Sequence, residues 1–189
     1  DIESDIINAL NPDVITIGEC PVNAITAYFT KTNTLYNFIL RNPKNPQIKE
    51  LEDGMKSDFK KYIKEVQDFI EYDLGSKEKV TKYKLDNVGL STGFFDTEEE
   101  MIVSFFNLVH ELSPDIAAAY NIAYDLPSLI ARLKAKNIDP RDIICDQDMP
   151  VKFCEYFVDE KNQNDPQERG DYSFISSRTV YFCLLYTSD

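Results

Sequence analysis

Tryptophan is absent from the 189 residues, histidine occurs once, at His110, and glycine only six times. The four cysteines, at 20, 145, 154 and 183, form no Cys-x-x-Cys pair. With a single histidine to help them, they argue against a structural zinc site. Scattered at this density, they read as reduced thiols of a cytosolic protein rather than a disulfide framework. No apolar run approaches the ~18 residues of a membrane-spanning helix, and the opening residues carry no basic-then-apolar secretion signal. No membrane partner is expected. Basic residues are also scarce: Lys+Arg 20 against Asp+Glu 33 leaves a net charge of −13. That balance argues against holding nucleic acid by a basic surface alone, which needs clustered Lys and Arg. It leaves open an enzyme that hydrolyses nucleic acid through carboxylate-held metals.

What is present suits one soluble domain: 43% of residues are hydrophobic and 28% charged. Ala24 to Thr30 is rich in strand formers, Lys31-Thr32-Asn33-Thr34 makes a polar turn, and Tyr36, Phe38 and Leu40 alternate after it. The pattern predicts a hairpin of two strands, ended by Pro43 and Pro46. Met55, Phe59, Tyr62, Ile63, Val66, Phe69 and Ile70 recur at helical spacing over 55–73, with Lys56, Lys60, Lys61 and Lys64 on the opposite face. Such a face serves solvation or a phosphate backbone. Short strands are expected over 79–85 and 88–95. Thr97-Glu98-Glu99-Glu100 has the capping-box pattern, and a helix bearing His110 follows it. Ser113-Pro114 breaks that helix. Asp115 to Tyr120 reads as a short buried strand, and the spacing of Leu126, Leu129, Ile130 and Leu133 predicts a further helix. Pro127 is assigned to its first turn, with Arg132, Lys134 and Lys136 complementing its C-terminal end. Residues 146–172 read as a long loop, and Phe174 to Phe182 as a last strand. The order of strands and helices implies an α/β fold, a mixed sheet with helices packed on it.

Two acidic signals stand out. In a strand, Asp1 and Glu3 project to the same face. Like charges that close are best tolerated with a divalent cation between them. Asp125 follows a strand at its junction with a helix, four residues after Asn121, where open sheets place their sites. Blander readings stand beside these: Asp125 as a helix cap, Asp1 and Glu3 as a frayed terminus, Asn121 as a turn residue.

Asp1-Ile2-Glu3 followed by Pro21 to Thr26 resembles the first exonuclease motif of family B DNA polymerases and the strand after it. Phe95 to Ile102 is similar to the lead-in to their second motif. Ser113 to Ile116, then Tyr120-Asn121-Ile122-Ala123-Tyr124-Asp125-Leu126-Pro127, resembles the second motif itself. Ile175 to Val180 resembles the strand before the third. The resemblance covers 1–3, about 21–40, about 90–140 and about 174–182; it leaves 41–89 uncovered. It implies a ribonuclease H-like mixed sheet with flanking helices and a proofreading 3′→5′ exonuclease acting on a single-stranded or frayed DNA 3′ end. It also implies two Mg²⁺ or Mn²⁺ ions held by Asp1, Glu3 and Asp125, with Asp1 bridging. Asn121 would act behind the ligands or on the DNA terminus, and Tyr124 on the substrate. The missing polymerase domains of a parent chain would be partners, in the cytoplasm of a bacterial host or at a viral replication site.

The resemblance has departures. No Tyr-x-x-x-Asp occurs anywhere in the chain, so the third metal-binding aspartate and its tyrosine are missing. The chain opens on Asp1, which implies that it starts inside a longer protein and leaves an amino group beside the site. Residues 183–189 resemble the translated adaptor tails of environmental gene fragments, so the natural sequence is expected to stop near Phe182. The 189-residue chain is therefore expected to be inactive or nearly so. Two other readings stay open: a free-standing DNA or RNA exonuclease of the same fold, and a non-enzymatic acidic α/β interaction domain.

Overall fold

The computed structural model describes residues 1–5, 17–42, 44–57, 61, 64, 88–148, 150, 156–158, 172–174 and 178–183. Its central feature is a four-stranded sheet in the order β1 (Ile2–Ser4), β2 (Val22–Phe29), β3 (Thr34–Leu40), β4 (Gly89–Phe95). The first three strands run antiparallel, and β4 pairs parallel to β3. The hairpin of β2 and β3 turns on Asn33, whose positive φ of 52° suits an asparagine. Because β3 and β4 are parallel, the chain crosses over between them. That crossover begins with α1 (Pro46–Ser57) and is closed at both ends by backbone bonds, Arg41 N–H to Phe95 O at 2.8 Å and Gly89 N–H to Asn33 O at 2.8 Å.

One face of the sheet is apolar and takes α2 (Glu98–Leu112) across β2, β3 and β4. Thr97 starts this helix as expected, its hydroxyl accepting from the Glu100 N–H at 3.2 Å. Three glutamates in the first turn meet the positive end of the helix dipole. Ser113 ends it in the left-handed region, at φ 45° and ψ 58°, and Pro114 prevents continuation. Met101, Ile102 and Phe106 are fully buried beneath it. Phe38 stacks on Phe95 and meets Phe105 edge-on, the latter with centroids 5.7 Å apart. Each such side chain contributes roughly 1.5–3 kcal/mol of burial.

Beside this layer, β5 (Ile116–Ala119) pairs parallel with β8 (Val180–Cys183), and α3 (Ile122–Ala135) packs on both, on α2 and on the short α4 (Pro140–Ile144). Leu126, Leu129, Ile130 and Leu133 join Val22, Ile25 and Phe38 in a single core. His110 reaches from α2 to the Ile143 carbonyl at 2.8 Å, which makes it a packing histidine. Cys20 and Cys145 are buried and in no disulfide.

Several boundaries differ from the sequence reading. Pro46 begins a helix rather than only ending a hairpin: Asn45 Oδ1 accepts from Gln47 N–H at 3.1 Å, and proline fits the first helical position. Of the helix expected over 55–73, the described residues 55–57, 61 and 64 are helical, and the remainder lies outside the described residues, as does the strand expected at 79–85. In place of the one strand expected over 174–182 there are two in different sheets, β7 (Tyr172–Phe174) and β8, and residues 175–177 lie outside the described residues. Within the segment read as loop, β6 (Tyr156–Val158) pairs antiparallel with β7, Tyr156 opposite Phe174.

Candidate active site

The site residues come from two elements. On β1, Ile2 lies opposite Ile25 and packs against the core, while Glu3 lies opposite Ala24 and is exposed. The register shifts between Glu3 and Ser4, so Ser4 pairs with Val22. Asp1 is fixed by its backbone rather than by its exposed side chain: its amino group donates to Thr26 O at 3.0 Å and its carbonyl accepts from Thr26 N–H at 2.9 Å.

The second element is α3. Asn121 is its N-cap, at φ −129° and ψ 59°, and its side chain makes no capping bond. Its carbonyl instead accepts the N–H of Tyr124 at 2.8 Å and of Asp125 at 3.1 Å. The helix therefore begins at Ile122, three residues before the aspartate. Asp125 is not a cap but a residue of the first turn, and Pro127 lies inside the helix rather than at its first position. Tyr124 and Asn121 are half-buried.

Asp125 is the anomaly of the site. It is 8% exposed, in a run with Leu126, Ser128, Leu129 and Ile130 that is equally closed to water. Its Oδ2 is buried without a hydrogen-bond donor. An ionised carboxylate so placed is costly unless a cation or donors reach it. Burial pushes its carboxyl above the usual aspartate range; the amino group of Asp1 opposes this, and the Glu3 carboxylate adds to it. The tripeptide at the start of the chain and the start of α3 thus share one electrostatic neighbourhood. Glu3 and the amino group of Asp1 are near enough to bias the charge of Asp125. Among the described residues, no three His, Cys, Asp or Glu side chains gather closely enough to hold a metal ion. In donor type the carboxylates of Asp125 and Glu3 suit a hard divalent cation, which takes carboxylate oxygens and keeps several waters, and Asp125 Oδ2 has no donor that would compete for it.

A second cluster, absent from the sequence reading, lies two turns further along α3. Glu98, read there only as a first-turn acid, is 6% exposed and grips Arg132, read only as a complement to the helix end. Arg132 Nε donates to Glu98 Oε1 at 2.8 Å and Nη2 to Oε2 at 2.7 Å. Glu98 Oε1 also accepts the Val22 N–H at 2.8 Å, and Arg132 Nη1 donates to Gly18 O at 3.2 Å. No local signal marks this pair, since its partners stand 34 residues apart.

The family model for the DNA polymerase family B, exonuclease domain, matches residues 11–181, which includes the whole of α2, β5 and α3. The opening tripeptide lies before the matched stretch. Among curated proteins, none matches the chain. Since the family match runs through all but the two ends, the chain belongs to the exonuclease domain family of the family B DNA polymerases.

Proposed function

We propose that this chain is the proofreading part of a DNA polymerase, removing nucleotides from a single-stranded or frayed 3′ end by metal-assisted hydrolysis. The family's domains are 3′→5′ exonucleases and generally use divalent metals. The observation that carries the reading to particular residues is the buried Asp125 carboxylate, with an oxygen lacking any donor, electrostatically coupled to Glu3. Asp1, Glu3 and Asp125 are the side chains that would hold Mg²⁺ or Mn²⁺. Bound there, a pair of such cations would activate a water and stabilise the leaving 3′ oxygen.

The chain's own groups then have separable roles. Burial around Asp125 excludes water and strengthens every charge interaction inside the site. Asn121, whose side chain makes no capping bond, would donate to the 3′ terminus or to a neighbouring carboxylate. Tyr124, one residue before Asp125 in the first turn, contacts the substrate end. The net charge of −13 means that affinity for DNA does not come from this surface. Basic surface on further polymerase domains supplies it. Without a Tyr-x-x-x-Asp segment to position water, the 189 residues alone turn over poorly.

The test is a 5′-labelled single strand incubated with the chain in Mg²⁺, with and without an added segment carrying Tyr-x-x-x-Asp. Shortening from the 3′ end is expected with that segment, at most traces without it, and none after Asp125→Ala in either form. Robust shortening by the 189 residues alone would overturn the poor-turnover reading. Shortening that survives Asp125→Ala would overturn the site.

A further inference from the structure

We propose that Glu98 and Arg132 are positioning residues, a side-chain clamp that sets the distance between the Asp125 carboxylate and the carboxylates of β1. The inference rests on the reading of the site given above and extends it to two residues that touch neither metal nor substrate.

The need for such a clamp follows from topology. Glu3 belongs to the sheet β1-β2-β3-β4, whereas Asp125 follows β5, which pairs only with β8 among the described strands. No backbone ladder therefore joins the two halves of the site. Their separation is set by side chains. The apolar contacts of Leu126, Leu129, Ile130 and Leu133 hold α3 down, but hydrophobic burial is not directional and leaves a helix free to slide or roll. The fork between Arg132 and Glu98 is directional, because two parallel N–H···O bonds fix an angle as well as a distance.

The placement of the clamp is equally specific. Arg132 follows Asp125 by seven residues, two turns, and so lies on the same side of α3. The Glu98 oxygen that receives Arg132 Nε also receives the N–H of Val22, the residue paired with Ser4 of β1. One carboxylate thus links the helix of Asp125 to β2, the strand laddered to the β1 strand that carries Glu3. The turn before β2 is pressed into the same arrangement: Arg132 holds the Gly18 carbonyl, and Gly18, at φ +76°, has no room for a Cβ against Ala131. With side chains only 14% and 5% exposed, the pair is expensive to desolvate. Buried pairs of this kind are weak contributors to net stability, and fixing register is their best attested use.

The experiment is an Mn²⁺ titration of the 189-residue chain followed by electron paramagnetic resonance, with thermal melting of each variant. The variants are Asp125→Asn, Arg132→Lys, Glu98→Asp and a core control, Ile144→Val. Arg132→Lys and Glu98→Asp keep the charges and lose the fork. They are expected to weaken Mn²⁺ binding about 10–100-fold, the usual effect of losing a group that orients metal ligands, while still melting cooperatively. Ile144→Val loses stability and keeps its Mn²⁺ affinity. Wild-type affinity in both clamp variants, alongside lost binding in Asp125→Asn, overturns the clamp and leaves the site standing. Absence of Mn²⁺ binding by the wild-type chain overturns the site and the clamp with it. If both clamp variants are unfolded at 25 °C, the pair is a folding contact and the positioning role is overturned.

Discussion

Replacing Asp125 by asparagine is expected to stabilise the protein in the absence of metal and to remove its response to metal. The side chain is 8% exposed, and its Oδ2 has no donor. Leaving a buried polar group unsatisfied costs about 1–3 kcal/mol, more when it is charged. Asparagine keeps the volume and sheds the charge, though its own amide gains no assured partner, so a net gain of about 1 kcal/mol is expected at pH 7. For a chain of this size that raises Tm by about 2–4 °C. The pH dependence has a definite sign. Burial raises the carboxyl above its ordinary 3.8 in the folded protein, so the penalty for ionising it is absent below that pH. It grows as pH rises through the folded value and is constant above. The advantage of Asp125→Asn is therefore full at neutral pH and shrinks toward pH 3.8. Magnesium reverses the order, since a ligand at a hundredfold excess over its Kd stabilises by about 2.7 kcal/mol, and only the wild type retains the carboxylate. Melting curves at pH 4 to 8, in chelator and in MgCl₂, decide the matter. A destabilised Asp125→Asn at pH 7 in chelator, or an equal magnesium shift in both proteins, would refute the reasoning.

Two other perturbations test the scaffold. Glu52 receives two bonds from Arg41, at 2.8 and 2.7 Å, and one from Lys56 at 2.7 Å, which hold its carboxyl down from 4.5 to about 2. Its contribution is present above pH 4.5 and is lost as pH falls toward 2, so Glu52→Gln should flatten the acid limb of a urea-midpoint profile in that window and lower the midpoint at neutral pH. Gly18→Ala demands both a left-handed residue and space occupied by Ala131. A loss of about 1–3 kcal/mol is expected, read as a lower urea midpoint at unchanged m; an unchanged midpoint would show that the turn moves aside freely.

The parts of the fold written in local pattern were legible. Alternation gave the hairpin of β2 and β3, Thr97 gave the start of α2, and the period of Leu126 to Leu133 gave the buried stripe of α3. Asp125 stood out because it follows a strand at its junction with a helix, where open sheets place their sites; the helix-cap reading offered beside that one gives way, since Asn121 is the cap and Asp125 is buried in the first turn. What was not legible depends on partners distant in sequence. Pro46 carries the same residue type whether it closes a strand or opens a helix, and only the Asn45 side chain on Gln47 decides. Pro127 was assigned to a first turn because proline favours that place; the Asn121 carbonyl, accepting from the N–H groups of Tyr124 and Asp125, instead starts the helix at Ile122. Glu98 and Arg132 each had a sufficient local explanation as a charge near a helix end, which concealed their pairing. The stretch 174–182 read as one strand, yet β7 and β8 lie in different sheets, and Thr179 just before β8 donates to the Pro114 carbonyl at 2.8 Å, a partner 65 residues away.

Pro127 has an effect on how force passes along α3. Lacking an N–H, it cannot bond the carbonyl of Ala123, so one rung of the helical ladder is missing between the turn that bears Asn121 and Asp125 and the segment anchored by Leu129, Ile130 and Leu133. The opening turn is consequently softer toward bending than the rest. A small load on that turn, such as the proposed contact of a substrate end with Asn121 would apply, tilts it without dragging the remainder of the helix out of the core.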